Sequence, residues 1–92
     1  MDRRKFEKIS KALADPNRLM ILKEIKKKKH DCLYCVDLYG KTNLAQPSVS
    51  HHIKLLADAD LITTEKEGRN MKYTLNNRVF DEYIKYLEGL KA

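Results

Sequence analysis

The run Gln46-Pro47-Ser48-Val49-Ser50-His51-His52-Ile53-Lys54-Leu55-Leu56 gathers side chains suited to reading a polar surface. Val49, Ile53 and Leu56 recur at i, i+4 and i+7, which is one helical face. Gln46, Ser48, Ser50, His51 and Lys54 lie on the other. They are short hydrogen-bonding groups with one cation among them. Base edges in a duplex groove offer donors and acceptors rather than charge, so such a face suits them; a solvated helix face is the alternative. His52 projects beside the apolar positions and reads as a packed, hydrogen-bonded structural residue. A second concentration is the pair Cys32 and Cys35, a C-x-x-C spacing close to His30. Two thiolates could hold a thiophilic metal or metalloid together with His30, Asp31 or a group from the other subunit. The same thiols could instead form a redox switch, or have no sensing role. A structural zinc site usually needs four ligands, and no second C-x-x-C exists. A third concentration is Lys66, Arg69 and Lys72, cations in and around a turn. They suit a minor groove or its flanking phosphates, with a plain exposed turn as the alternative. No acid pair, nucleophile–base set or glycine-rich phosphate loop is present, which argues against an enzyme.

These residues need elements to hold them. A first helix is expected from about Arg3 to Ala14, with Phe6, Ile9 and Leu13 on one stripe. Asp15 should cap a second helix that has Pro16 at its first position, where a missing N–H costs nothing. Leu19, Leu22 and Ile25 form the expected inner stripe of this helix, widened by Met20 and Ile21. It ends in Lys26-Lys27-Lys28-Lys29, cations that suit a helix C-terminus and read either as a solvated end or as a phosphate-facing patch. His30 to Cys35 reads as a connector or early helical turn, followed by a short third helix from Tyr34 to Tyr39 that Gly40 ends. Gly40-Lys41-Thr42-Asn43 then supplies a turn before a fourth helix from Gln46 to Asp58. Leu61 to Glu65 and Met71 to Leu75 read as two strands joined by a turn over Lys66 to Asn70, with Met71, Tyr73 and Leu75 on one face. A hairpin alone would be marginal, so it must rest on the helices. A last helix, to about Leu90, carries Phe80, Tyr83, Ile84, Leu87 and Leu90 on a long apolar stripe. The expected fold is therefore mostly α with a small β-hairpin: a winged helix-turn-helix of about five helices and a two-stranded wing, forming a single domain over residues 1–92.

Composition narrows the partner. The chain has 92 residues, 42% of them hydrophobic, with a net charge of +6 and a pI near 9.4. That apolar content fits a folded domain rather than a disordered chain. The basic excess favours a polyanion, either nucleic acid or an anionic membrane. No apolar run approaches the roughly 20 residues that span a bilayer, and no secretory leader is visible, so a cytoplasmic protein with no membrane partner is expected. So small a core is modestly stable alone, and an oligomer interface is a common remedy. The apolar stripes of the first and last helices exceed what this core can bury.

Three stretches resemble the ArsR/SmtB family of winged-helix repressors. They are Ala12-Leu13-Ala14-Asp15-Pro16-Asn17-Arg18-Leu19-Met20-Ile21-Leu22; Gln46 through Leu56; and Leu61-Ile62 through Glu67-Gly68-Arg69 to Tyr73-Thr74-Leu75. Together they span most of the chain in the family's order. The resemblance implies a homodimer built from the first and last helices, with Phe6, Ile9, Phe80, Tyr83, Ile84 and Leu87 at the interface. It implies binding to double-stranded operator DNA and release by an inducer, often a metal ion; thiolates would favour arsenite, cadmium, copper(I) or zinc. The family's thiolate motif on the third helix is Cys-x-Cys followed by Asp, and the matching residues here are Tyr34-Cys35-Val36-Asp37. The one nearby thiol is a residue out of register, a rotation of about 100° on a helix. The family's other metal site uses His and acids on the last helix, which here offers Asp81, Glu82 and Glu88 but no His. Neither site carries over. A winged helix that binds protein, with an incidental basic surface, is the competing reading.

Overall fold

The computed structural model describes residues 1–27, 32–34 and 46–91. Helix α1 spans Arg3–Leu13. Asp2 starts it by accepting a hydrogen bond from the Lys5 amide at 2.8 Å, which satisfies a donor that the first turn leaves free. Helix α2 follows almost at once, Pro16–Lys27. Asp15 caps it as expected, accepting from the Asn17 and Arg18 amides at 2.8 and 3.1 Å. The buried stripe of α2 is Ile21, Leu22 and Ile25, while Leu19 is 42% exposed. This corrects the expected stripe. Ile21 and Ile25, four apart, set the inward direction, and Leu19 lies about 200° around the helix from Ile21.

A short strand, β1 (Cys32–Tyr34), replaces the connector or helical turn expected there. It pairs antiparallel with a strand some forty residues later, setting Leu33 opposite Tyr73. Three residues carry too little periodicity to reveal a strand, and its partner is not local. The helix expected over Tyr34 to Tyr39 therefore loses Tyr34 to β1, and the rest of it lies outside the described residues. Four helices are present among the described residues.

Helix α3 spans Gln46–Asp58, the bounds read from the sequence. Its end is well defined. The Asp60 amide donates to Ala57 O at 2.9 Å and the Leu61 amide to Leu56 O at 3.1 Å, with Asp60 at φ 59°. This is the paired-bond stop that a left-handed residue makes, and fully buried Leu56 and Leu61 supply its apolar contact. Strands β2 (Ile62–Glu67) and β3 (Asn70–Leu75) pair from Ile62↔Leu75 to Glu67↔Asn70. The turn is thus only Gly68-Arg69, tighter than the five residues expected. The sheet order is β1-β3-β2, so the hairpin belongs to a three-stranded sheet. Helix α4 (Asn77–Leu90) completes the described chain.

The core joins every layer. Ile9 and Ala12 of α1, the α2 stripe, Val49, Ile53 and Leu56 of α3, Leu61, Ile62, Tyr73 and Val79 form one buried cluster. Phe6 of α1 stacks on Tyr83 and Tyr86 of α4, with centroids 4.9 and 4.3 Å away, and Ser10 Oγ lies 2.9 Å from the Tyr83 hydroxyl. Lys5 pairs with Asp60, tying α1 to the end of α3.

Candidate nucleic-acid interface

Helix α3 is pinned by Val49, Ile53 and Leu56, which are 1%, 7% and 0% exposed. That pinning turns Ser48, Ser50, His51 and Lys54 outward, and all four are exposed. Gln46 opens the helix. The exposed row has hydroxyls, an imidazole and one ammonium, a donor and acceptor set suited to base edges. Lys54 Nζ lies 3.4 Å from Asp58 on the same helix, a solvent-screened pair that a stronger anion can displace.

His52 is not on this row. Its Nδ1 sits 3.2 Å from Arg18 Nη1, so α2 grips α3 through it. Arg18 is the hub of this region. Its Nε donates to Ala12 O at 2.6 Å and its Nη2 to Lys11 O at 3.1 Å. It thereby occupies the Ala12 carbonyl where α1 ends and adds a second donor to the Lys11 carbonyl, which already accepts from the Ala14 amide. Asp15 lies 3.8 Å from the same guanidinium. The Arg18 amide bond, helped by the Asn17 bond and the nearby charges of Arg18 and His52, holds the Asp15 carboxyl below its ordinary 3.8 against the opposing effect of desolvation. Sequence reading found the cap and the structural role of His52 but missed Arg18, whose partner on α3 is distant in the chain.

The wing cations separate. Lys66 is opposite Met71 and Lys72 opposite Glu65, so strand alternation puts the two lysines on opposite faces of the hairpin. Lys66 and Arg69 are exposed and Lys72 is half-buried. Glu65 and Glu67 share this short wing, leaving it a small positive excess. Gly68, at φ 63°, makes the tip; with Arg69 at negative φ the turn has the type II′ sign pattern, which suits a twisted hairpin.

The residues expected at a dimer interface also divide. Ile9 is fully buried in the protomer's own core, so it supports α1 from behind and presents no surface. Phe6 and Tyr83 are half-buried in the α1–α4 stack, and Phe80 packs against the core edge. Ile84 and Leu87 are 50% and 43% exposed, and Leu90, absent from the expected set, is 65% exposed. Of the thiol group, Cys32 falls on β1 opposite Thr74, whereas His30 and Cys35 lie outside the described residues. No helix among the described residues is long and apolar enough to cross a membrane.

A helix stopped, turned outward and braced beside a β-hairpin defines a winged helix-turn-helix, a class that docks on duplex DNA. A family model for a helix-turn-helix domain matches residues 13–65. The chain is 36% identical over 92 residues to the arsenical resistance operon repressor of Staphylococcus aureus, covering 95% of this chain and 81% of that protein. It is 40% identical over 74 residues to the protein of the same name in Bacillus subtilis (strain 168), covering 80% and 69%. The fold matches the crystal structure of an ArsR family transcriptional regulator with a TM-score of 0.86, at 26% identity and 98% and 90% coverage. HlyU from Vibrio cholerae N16961 matches with a TM-score of 0.73, at 29% identity and 98% and 97% coverage. The chain belongs to the ArsR/SmtB family of helix-turn-helix repressors. It is a DNA-binding transcriptional regulator and not an enzyme.

Proposed function

We propose that this chain works in the cytoplasm as a homodimeric repressor, each protomer placing α3 in the major groove of one operator half-site. The observation that carries this reading is the exposed row Ser48, Ser50, His51 and Lys54, braced from behind by buried Val49, Ile53 and Leu56. Lys66, Arg69 and Lys72 add wing contacts. Exposed Ile84, Leu87 and Leu90 on α4 supply a self-complementary face. That face runs past Phe80 to an open apolar cleft of about 380 Å³ lined also by Leu13, Leu19 and Leu22, which widens the surface a second copy can cover.

The test is binding to duplex DNA from upstream of the chain's own gene, against scrambled duplex. Ser48→Ala and His51→Ala should change sequence preference, because base contacts specify. Arg69→Ala should weaken both duplexes alike and lower the salt slope by about 0.9 per lost phosphate contact. Equal affinity of the wild type for both duplexes would defeat the reading.

For release, we propose a thiophilic ion held by Cys32, Cys35 and His30. Three relatives support the chemistry by name: the two arsenical repressors above, and a probable mercury resistance operon repressor of Streptomyces lividans, 33% identical over 72 residues. Cys32 is paired through β1 to β3, the central strand that also forms the wing. Ligation there would load the wing strand directly and favour a state with different wing placement, which is what an inducer must do to loosen DNA. Arsenite, cadmium, copper(I) and zinc should be tried on the protein–DNA complex. Release by at least one ion, lost in Cys32→Ser/Cys35→Ser, is expected; an equal response in that variant removes the thiols from the mechanism.

A further inference from the structure

Lys8 and Lys11 stand on α1, outside both the recognition helix and the wing. The fold brings them to the recognition helix. Both line a shallow depression of about 190 Å³, whose other walls are Ala12 and Arg18 and, from α3, Leu55 and Asp58. Ser48, His51, Leu55 and Asp58 follow one another at helical spacing along α3. The depression therefore continues one edge of the exposed reading row.

The charge there is not cancelled. Other cations pair with acids, among them Arg3 with Glu7 at 3.5 Å and Arg78 with Glu82 at 3.4 Å. Lys8 and Lys11 are exposed and have no ion-pair partner among the described residues. The one acid lining the depression, Asp58, is already met by Lys54 at 3.4 Å. Arg18 turns its donors inward to the α1 carbonyls yet adds its charge to the local field. The result is a positive ledge beside the helix that enters the groove. Phosphates border that groove on both sides, and contacts to them fix register without reading sequence.

We propose that Lys8 and Lys11 form a third DNA contact, gripping the phosphate strand that flanks α3 on the side away from its base-reading centre. This rests on the DNA-docking reading of α3 and adds an element to it. It also gives α1 two jobs, since the opposite side of the same helix stacks on α4 through Phe6.

The experiment measures affinity of the full chain for upstream duplex and scrambled duplex between about 50 and 200 mM salt. Lys8→Gln/Lys11→Gln should lower the slope of log affinity against log salt by about 1.8 per bound protomer, two contacts at about 0.9 each. Over that fourfold salt range the affinity lost should shrink by about 12-fold per protomer. The loss at low salt should be the same on both duplexes, and thermal unfolding should not move, because both side chains are exposed. The control Lys85→Gln/Lys91→Gln removes the same charge from α4 and its cap and should leave the slope nearly unchanged. An unchanged slope in the Lys8/Lys11 variant overturns the contact, and so does an equal drop in the control, which would mark a general charge effect. In both outcomes a steep wild-type slope leaves α3 docking intact. A flat wild-type slope would take that reading down and this contact with it.

Discussion

Arg18 does more structural work than any other charged residue described. One guanidinium closes two carbonyls at the end of α1 and meets His52 on α3, with only 12% of the side chain exposed. Removing it takes the donor from two part-buried groups, the Ala12 carbonyl and the His52 ring, which costs about 1–3 kcal/mol. Arg18→Ala should therefore lower stability by about that amount and also weaken DNA binding, since α3 loses its brace. Urea unfolding and a binding titration check both; a variant as stable as the wild type would show that water replaces the guanidinium. Asp15 adds a pH term. Its folded carboxyl titrates below the ordinary 3.8, so its contribution is present above that pH and is lost as pH falls through the lower, folded value. Asp15→Asn keeps an oxygen at the cap but cannot titrate. The stability gap between wild type and this variant should be open at neutral pH and close in acid below 3.8, as followed by urea unfolding at several pH values. A gap that does not change with pH would remove the carboxylate's charge from the account.

At the scale of elements, the wing depends on one backbone conformation. Gly68 has φ 63°, and nothing lies within 4 Å of where a Cβ would stand. A side chain there meets no neighbour, so the cost of adding one is backbone strain alone, roughly 1 kcal/mol for an ordinary L-residue. Gly68→Ala should lose at least about that much stability, because the first central position of a type II′ turn is one that glycine adopts without strain. Denaturant midpoints decide it; no loss with Ala would mean that the turn shifts type without penalty. The hairpin can bear this loss because β1 on its other side and Tyr73 beneath it hold β3 in place.

For the whole molecule, the question is what covers α4. Ile84 and Leu87 already bury about half their surface within the protomer. A second copy can therefore add only about half of the roughly 1.5–3 kcal/mol that full burial of such a side chain contributes. A stable dimer then needs the whole stripe and the adjoining cleft rather than any single residue. A charge in the middle should nonetheless break it, because an unpaired carboxylate would be buried. Ile84→Glu should give a monomer by light scattering, with DNA affinity falling as one half-site is lost. A dimer that survives both Ile84→Glu and Leu87→Glu would put the interface elsewhere.

Much of this protein is legible in its sequence because the signals are local. The cap Asp15 lies within one turn of the amides it accepts from. The bounds of α3, its buried Val49, Ile53 and Leu56 and its outward row follow from a period of 3.6 residues. The hairpin follows from strand alternation around a glycine. Only the tertiary structure decided the rest, because those features join residues far apart in the chain. Leu33 meets Tyr73 to make a third strand. Arg18 meets His52 across 34 residues. Ile9 spends its surface on the core, while Leu19 and Leu90 do not. Lys8 and Lys11, ordinary cations on an amphipathic helix, come to flank the recognition helix. Periodicity tells which side of an element is apolar; it does not tell what that side, or the opposite one, will be packed against.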